Sequence, residues 1–69
     1  MSTAEIKERL GKNFRPFELC LSDGRRLAVP NPDQIAVGKN VVSVIDESDI
    51  SRTVDALHIV SIDEKYVAR

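Results

Sequence analysis

The sequence predicts a small, mainly β domain, with one short N-terminal helix followed by five strands in a strongly bent antiparallel barrel. Apolar and polar residues alternate on both sides of an Asp-Gly turn at residues 23 and 24, which is the pattern of a hairpin with one buried face. A helix-capping pattern precedes this hairpin, and short β-branched runs separated by turn residues follow it. Closing such short strands into a barrel would also remove exposed edges, unless those edges serve assembly.

The length of 69 residues predicts one domain, with a helix over residues 3–11, a β core over 15–64 and a polar tail over 65–69. A chain of this size buries only about 60% of the surface that it exposes when unfolded. The single cysteine rules out an internal disulfide, and the single histidine argues against a metal site. We therefore expect no metal and no cofactor, and we expect a homo-oligomer to supply further stability.

The N-terminal segment has the signals of a short amphipathic helix. Ser2 and Glu5 have the spacing of a capping box, and Gly11 is placed to act as the C-terminal cap. Ile6 and Leu10 lie one turn apart and make a narrow apolar stripe. Because so short a helix is not stable alone, we expect this stripe to dock on an open end of the β structure.

Parity fixes the length of the first hairpin loop. A two-residue loop would put the apolar residues of the two strands on opposite faces, whereas the three-residue loop Ser22-Asp23-Gly24 puts them on one face. This register pairs Leu21 with Arg25, Leu19 with Leu27 and Phe17 with Val29. It also places Gly24 at the left-handed position of a type I turn with a G1 bulge, so we expect a positive φ at Gly24.

The remaining strands follow from β-branched runs and their separators. Pro30-Asn31-Pro32-Asp33 predicts a corner, because proline has no N–H for a strand ladder. Short strands are predicted over 35–37 and 41–45, with turns over 38–40 and 46–49. The segment from Ser51 to Asp63 is predicted as one long strand or two short ones.

The charge distribution gives little indication of the nature of the partner. The net charge is −1, although residues 1–26 carry six basic and four acidic side chains. This asymmetry permits an anionic partner but lacks the strongly basic balance of most nucleic-acid binders. The N-terminus has no secretory h-region, and no apolar run could span a bilayer. We therefore expect a cytoplasmic protein without membrane contact.

Motifs of catalysis are missing from the sequence, so we expect a protein that is not an enzyme. There is no phosphate-binding glycine loop and no paired metal-ligand spacing. Cys20 could act as a thiol nucleophile only with His58 as its base, and a small side chain on the minor face of a strand is the favoured interpretation. His58 could be a structural histidine that donates to a carbonyl, or it could face a ligand.

Two charged clusters have a structural and a functional interpretation. Asp46, Glu47 and Asp49 could hold a cation, but they lack the EF-hand spacing and its glycine, which favours a solvated turn. Arg25 and Arg26 leave the hairpin on opposite faces. One of them could meet a phosphate or a carboxylate, but a rim charge without a ligand is the favoured interpretation.

The segment from Phe17 to Leu27, FELCLSDGRRL, resembles the first motif of the Sm-like proteins, in which an alternating strand, an Asp-Gly-Arg turn and a returning strand open the barrel. The segment Ala56-Leu57-His58-Ile59-Val60-Ser61-Ile62 is similar to the second motif of the Hfq-type RNA chaperones, where a Lys-His pair precedes a short strand. The resemblance spans roughly residues 4–63. It implies a five-stranded Sm-like or SH3-like barrel that assembles and binds RNA.

Several positions depart from the Sm-like pattern. Val29 stands where the family usually has glycine, and Leu57 stands where the RNA-contacting lysine would be. The segments Phe14-Arg15-Pro16-Phe17, 29–33 and 35–38 look closer to a group of small bacterial proteins of unassigned activity.

Two hypotheses follow. The first is a non-catalytic, self-associating binding module that binds RNA, with His58, Arg25 and Lys39 at the ligand surface. The alternative is a protein-interaction or adaptor domain of SH3-like type, without a nucleic-acid role, that binds peptide or another strand by edge addition.

Overall fold

The computed structural model describes residues 2–64, which contain one α-helix and six strands. The helix α1 is Thr3–Arg9, and the strands are β1 Phe17–Leu21, β2 Arg26–Val29, β3 Ile35–Val37, β4 Val41–Ile45, β5 Ser51–Asp55 and β6 Ile59–Asp63. Two 3-10 turns, Pro32–Gln34 and Ala56–His58, precede β3 and β6. The predicted polar tail over 65–69 lies outside the described residues. No helix among residues 2–64 is long and apolar enough to cross a membrane.

The strands form two antiparallel sheets of three strands each, in the orders β2-β1-β6 and β3-β4-β5. The mainly β class and the short N-terminal helix are confirmed. Two finer predictions are wrong, because the described residues contain six strands rather than five and these strands do not close into a barrel.

Two interruptions of the strand pattern explain why there are six strands and why they do not form a closed barrel. The 3-10 turn Ala56–His58 begins where the Asp55 carboxylate accepts the Leu57 N–H at 2.9 Å, and this cap divides the segment predicted as one long or two short strands. Pro30 and Pro32 lack the N–H that a continuous ladder would need, so β2 and β3 belong to different sheets. The chain therefore passes from one sheet to the other between β2 and β3 and again between β5 and β6, and in neither case do the two strands pair with each other.

The helix docks on the β structure, as its apolar stripe predicted. Ile6 is fully buried and belongs to the core, with Leu10 packed against it. Ser2 Oγ accepts the Ala4 N–H at 3.2 Å, which confirms a cap at Ser2. Helix α1 ends at Arg9 rather than at residue 11, because the Leu10 N–H turns back to the Lys7 carbonyl at 3.1 Å.

The first hairpin has the predicted register. Leu19 pairs with Leu27 and Phe17 with Val29, while the Leu21 N–H donates to the Arg25 carbonyl at 2.9 Å. Gly24 has a φ of 92°, as the G1 bulge requires. The apolar side chains of β1 and β2 are therefore buried on one face, whereas Arg26 and Ala28 are exposed on the other.

The β4–β5 hairpin repeats this turn without a glycine. The Asp46 N–H donates to the Ile50 carbonyl and the Asp49 N–H to the Asp46 carbonyl, at 3.0 and 2.9 Å. Asp49 occupies the left-handed position with a φ of 65°, a conformation that aspartate tolerates better than most residues. Val42 and Val44 then face the core that the two sheets share.

We expect Gly24→Ala to lower the free energy of unfolding by about 1–2 kcal/mol, the usual cost of a left-handed conformation for a residue with a Cβ. An added Cβ at Gly24 would meet no atom within 4 Å, so the loss would be conformational rather than steric. Urea titration measures it. Gly11→Ala is the matched control, because its Cβ would make only an ordinary contact; an equal loss in both variants would contradict the assigned cause.

We expect Ile6→Ala to lower the free energy of unfolding by about 2–5 kcal/mol, the range for a large-to-small change at a buried site. Ile50→Ala serves as the control, because 49% of Ile50 is exposed and its removal leaves no buried cavity. Thermal or urea unfolding of both variants measures the difference. Similar losses would show that α1 is not anchored through Ile6.

Candidate functional site

His58 ends the 3-10 turn Ala56–His58 and lies against the first hairpin. Its carbonyl accepts the Ser22 N–H at 2.7 Å, which fixes the turn to the loop by a backbone bond. The imidazole is exposed, and its Nδ1 lies 3.3 Å from Ser22 Oγ. The backbone of His58 therefore has a structural role, while the ring stands at the surface beside a hydroxyl group.

Arg25 reaches the same region from the other end of the loop. Asp23 holds it in place, since Oδ1 accepts the Arg25 N–H at 3.0 Å and Oδ2 accepts Nε at 2.8 Å. The hydrogen bond from the Arg25 backbone is the main cause that lowers the pKa of Asp23 below its usual value. Asp23 is therefore ionised near neutral pH, where it positions Arg25 through hydrogen bonds and does not act as a general acid.

Arg25 and His58 line one cavity of about 330 Å³. The other residues around it are Leu21, Ser22, Asp23, Thr53, Val54 and Asp55. The cavity offers a guanidinium, an imidazole and hydroxyl groups together with two carboxylates. Such a mixed set offers hydrogen-bond donors and acceptors to a polar ligand.

Lys39 does not line this cavity. It lies in the turn between β3 and β4, where its carbonyl accepts Thr3 Oγ1 from the helix at 3.1 Å. Two of the three sequence-predicted ligand residues are therefore brought together, and the third is placed beside α1. The turn residues Ser22 and Asp23, chosen only for their structural role, join the cavity instead.

Cys20 lies on the outer face of β1, away from the cavity. Its Sγ donates to Asp63 Oδ2 at 3.3 Å, and the same oxygen accepts Arg26 Nη1 at 3.2 Å. His58 pairs with Ser22 rather than with this thiol. This arrangement agrees with the interpretation of Cys20 as a small side chain on the minor face of a strand.

The acidic turn over residues 46–49 is organised by hydrogen bonds within the chain. Asp46 Oδ1 accepts the N–H groups of Ser48 and Ile50 at 2.9 and 3.1 Å, and Oδ2 accepts Arg52 Nε at 3.2 Å. The bond from Ile50 is the main cause that lowers the pKa of Asp46. Within residues 2–64, no group of three histidine, cysteine or acidic residues is arranged to hold a metal.

A second and larger cavity was not predicted from the sequence. This groove, of about 600 Å³, runs between β2 and the β4–β5 hairpin. Its lining residues include Arg25, Arg26, Leu27, Ala28, Pro30, Val44, Ile45, Asp46, Glu47 and Arg52. The alternation along β2 predicts that Arg26 and Ala28 are exposed, but no feature of the sequence indicates that β2 lies opposite Arg52.

Comparison of the chain with protein-family models, with curated proteins and with solved structures returned no match.

We expect the free energy of unfolding to fall as the pH is lowered from about 5 towards 2. Asp23 and Asp46 have folded-state pKa values below their usual ones, so each stabilises the fold above the unfolded value near 3.9. That contribution disappears as the pH falls through the lowered folded value. Asp46→Asn keeps an acceptor oxygen but cannot ionise, so it should flatten this slope.

Urea titrations at several pH values measure the slope. Glu47→Gln removes one negative charge from the same turn and is the matched control. An unchanged slope in Asp46→Asn would contradict the role assigned to this carboxylate.

Proposed function

We propose that the protein is a small, non-catalytic binding module of Sm-like architecture that self-associates through open strand edges and binds single-stranded RNA at the cavity formed by Arg25 and His58. The observation that carries this proposal is the pair of open edges at β5 and β6. They belong to different sheets and adjoin at the 3-10 turn Ala56–His58. A module with two different edges suits head-to-tail assembly.

The outward groups of β5 follow from the register. In an antiparallel pair, alternate residues direct their N–H and C=O groups towards the partner. The bonds Ala56 N–H to Asn40 and Asp46 N–H to Ile50 assign the β4-facing groups to the even positions of β5. Ser51, Thr53 and Asp55 therefore direct their backbone groups away from β4, where the described residues place no strand.

The outer edge of β6 follows from its pairing with β1. Cys20 pairs with Ser61 and Glu18 with Asp63, and Leu19 is already bonded to β2. Ile62 thus directs its backbone groups outwards, whereas the register shift between Cys20 and Leu21 leaves Val60 outside this alternation. Neither β5 nor β6 contains the lysine or proline that commonly blocks an edge strand.

Exposed apolar side chains stand beside the β6 edge. Leu57 is 82% exposed and Val60 59% exposed. Pairing β5 of one copy with β6 of the next would satisfy both rows of backbone groups and cover these side chains. Because the two edges differ, the contact is heterologous, and repeated contacts of this kind close into a ring when the rotation permits.

Such an assembly would repeat the cavity once in every copy of the chain. It contains Thr53 and Asp55 of β5 together with His58, the residue before β6, so it adjoins both assembling edges. Arg25 can pair with a phosphate, and the imidazole of His58 can stack on a base or donate to it. Asp23 offsets part of the arginine's charge, so tight binding requires several copies acting together.

One feature favours the second candidate, an adaptor that binds protein. Leu57 occupies the position where the Hfq-type motif has its lysine, and it presents an exposed apolar side chain. Such a residue is a better contact for protein than for a phosphate.

We expect light scattering to show a ring-sized oligomer, a hexamer or heptamer. Ile62→Pro should release smaller species, because proline removes the outward N–H of β6 without breaking a bond to β1. Ile62→Val is the matched control, since it keeps that N–H and an apolar side chain of similar size. A monomeric parent protein would overturn the proposal in its RNA-binding form, and a dimer would favour the adaptor.

We expect a single-stranded oligouridine to bind at low salt and to dissociate as salt rises, because phosphate binding releases counterions. Arg25→Ala should reduce the slope of log affinity against log salt by about 0.7 for each phosphate that the variant no longer neutralises. His58→Ala should weaken binding with little change in slope. Lys39→Ala is the comparison, because Lys39 lies outside the cavity; no retention of RNA by the oligomer would exclude the RNA role.

A further inference from the structure

We propose that the groove between β2 and the β4–β5 hairpin binds an extended peptide segment of alternating apolar and acidic residues, which adds as a strand to the open edge of β2. This site is separate from the edges at β5 and β6, and it would add a protein ligand to the function proposed above.

The free edge of β2 is the first argument. The Leu21 N–H donates to the Arg25 carbonyl, so the register assigns the β1-facing groups of β2 to Leu27 and Val29. The N–H and C=O groups of Arg26 and Ala28 therefore point away from β1. In the sheet order β2-β1-β6 no strand of residues 2–64 lies on that side.

The position of the groove is the second argument. Residues 25–28 line it consecutively, which means that it follows the strand rather than crossing it. The opposite wall is formed by the end of β4 and by the turn after it. At about 3.3 Å per residue, the four residues of β2 offer pairing for a short extended segment only.

The side-chain chemistry selects the ligand. Successive side chains of an added strand would point to opposite faces. One set would point towards Leu27 and Val44, which are buried core residues at the base of the groove, and this favours apolar side chains. The other set would lie on the face of Arg26 and Ala28, and this favours acidic side chains.

Three arginines give the groove its charge. The side chains of Arg25, Arg26 and Arg52 are 54, 58 and 43% exposed. Each guanidinium has five N–H donors. The ion pairs of Arg25 and Arg52 use Nε, and those of Arg26 with Glu18 and Asp63 use Nη1, so each guanidinium keeps further donors. Of the two acidic groups in the lining, Asp46 already accepts two backbone N–H groups and Arg52. The lining carries three arginines against Asp46 and Glu47, a net charge of +1, so an acidic partner strand complements the groove better than a basic one.

The test uses the full chain and a capped peptide of alternating glutamate and valine, with a lysine and valine peptide as the charge-reversed control. We expect the acidic peptide to shift the NMR amide signals of Arg26, Ala28 and Ile45 and to slow hydrogen exchange at Ala28 at least tenfold. The basic peptide should bind at least tenfold more weakly.

Ala28→Pro should reduce binding of the acidic peptide at least tenfold, because it removes an outward N–H while the bonds of β2 to β1 remain. Ala28→Ser keeps this N–H and is the matched control, and Thr53→Pro tests the β5 edge in the same way. The exchange measurement on the parent protein is independent of whether the proline variant folds.

Several outcomes would overturn the proposal. These are no binding of the acidic peptide, equal binding of both peptides, or signal changes confined to β5 and β6. A change in oligomer size caused by Ala28→Pro, without peptide binding to the parent, would assign the edge to a second copy of the chain instead.

Discussion

The parity of the β1–β2 turn determines how the first sheet is packed. Because side chains alternate along a strand, a loop one residue shorter would move Leu27 and Val29 to the solvent face. The three-residue loop is possible because Gly24 takes a left-handed conformation. Since β1 is the central strand of its sheet, the same face continues into β6 and reaches Ile59 in the core.

Aspartate side chains organise three of the tight connections. Asp23 and Asp46 each accept a backbone N–H two residues ahead, and Asp55 does the same at the start of the 3-10 turn Ala56–His58. In two of these turns the same carboxylate also holds an arginine, Arg25 or Arg52. A residue that stabilises a turn thereby also sets the position of a cation at the edge of a cavity.

The open architecture links fold to function. The 3-10 turn Ala56–His58 and the proline corner separate the two sheets, leaving strand edges that a closed barrel would have satisfied. Unpaired backbone groups at an edge attract a further strand, and a chain of this size has much to gain from covering additional surface. The proposed assembly at β5 and β6 and the proposed peptide site at β2 depend on this one property.

The sequence by itself determined the local structure of this protein. The alternation in β1 and β2 and the turn residues predicted the register and the positive φ of Gly24, because both depend on neighbours in the chain. The apolar stripe of the helix predicted that Ile6 would be buried, because so short a helix is not stable alone. Tertiary structure alone decided that the sheets would stay open and that Arg25 and His58 would line one cavity while Lys39 would not. It also placed Arg52 across the groove from β2. These features depend on contacts between residues far apart in sequence, and local periodicity carries no information about such distances.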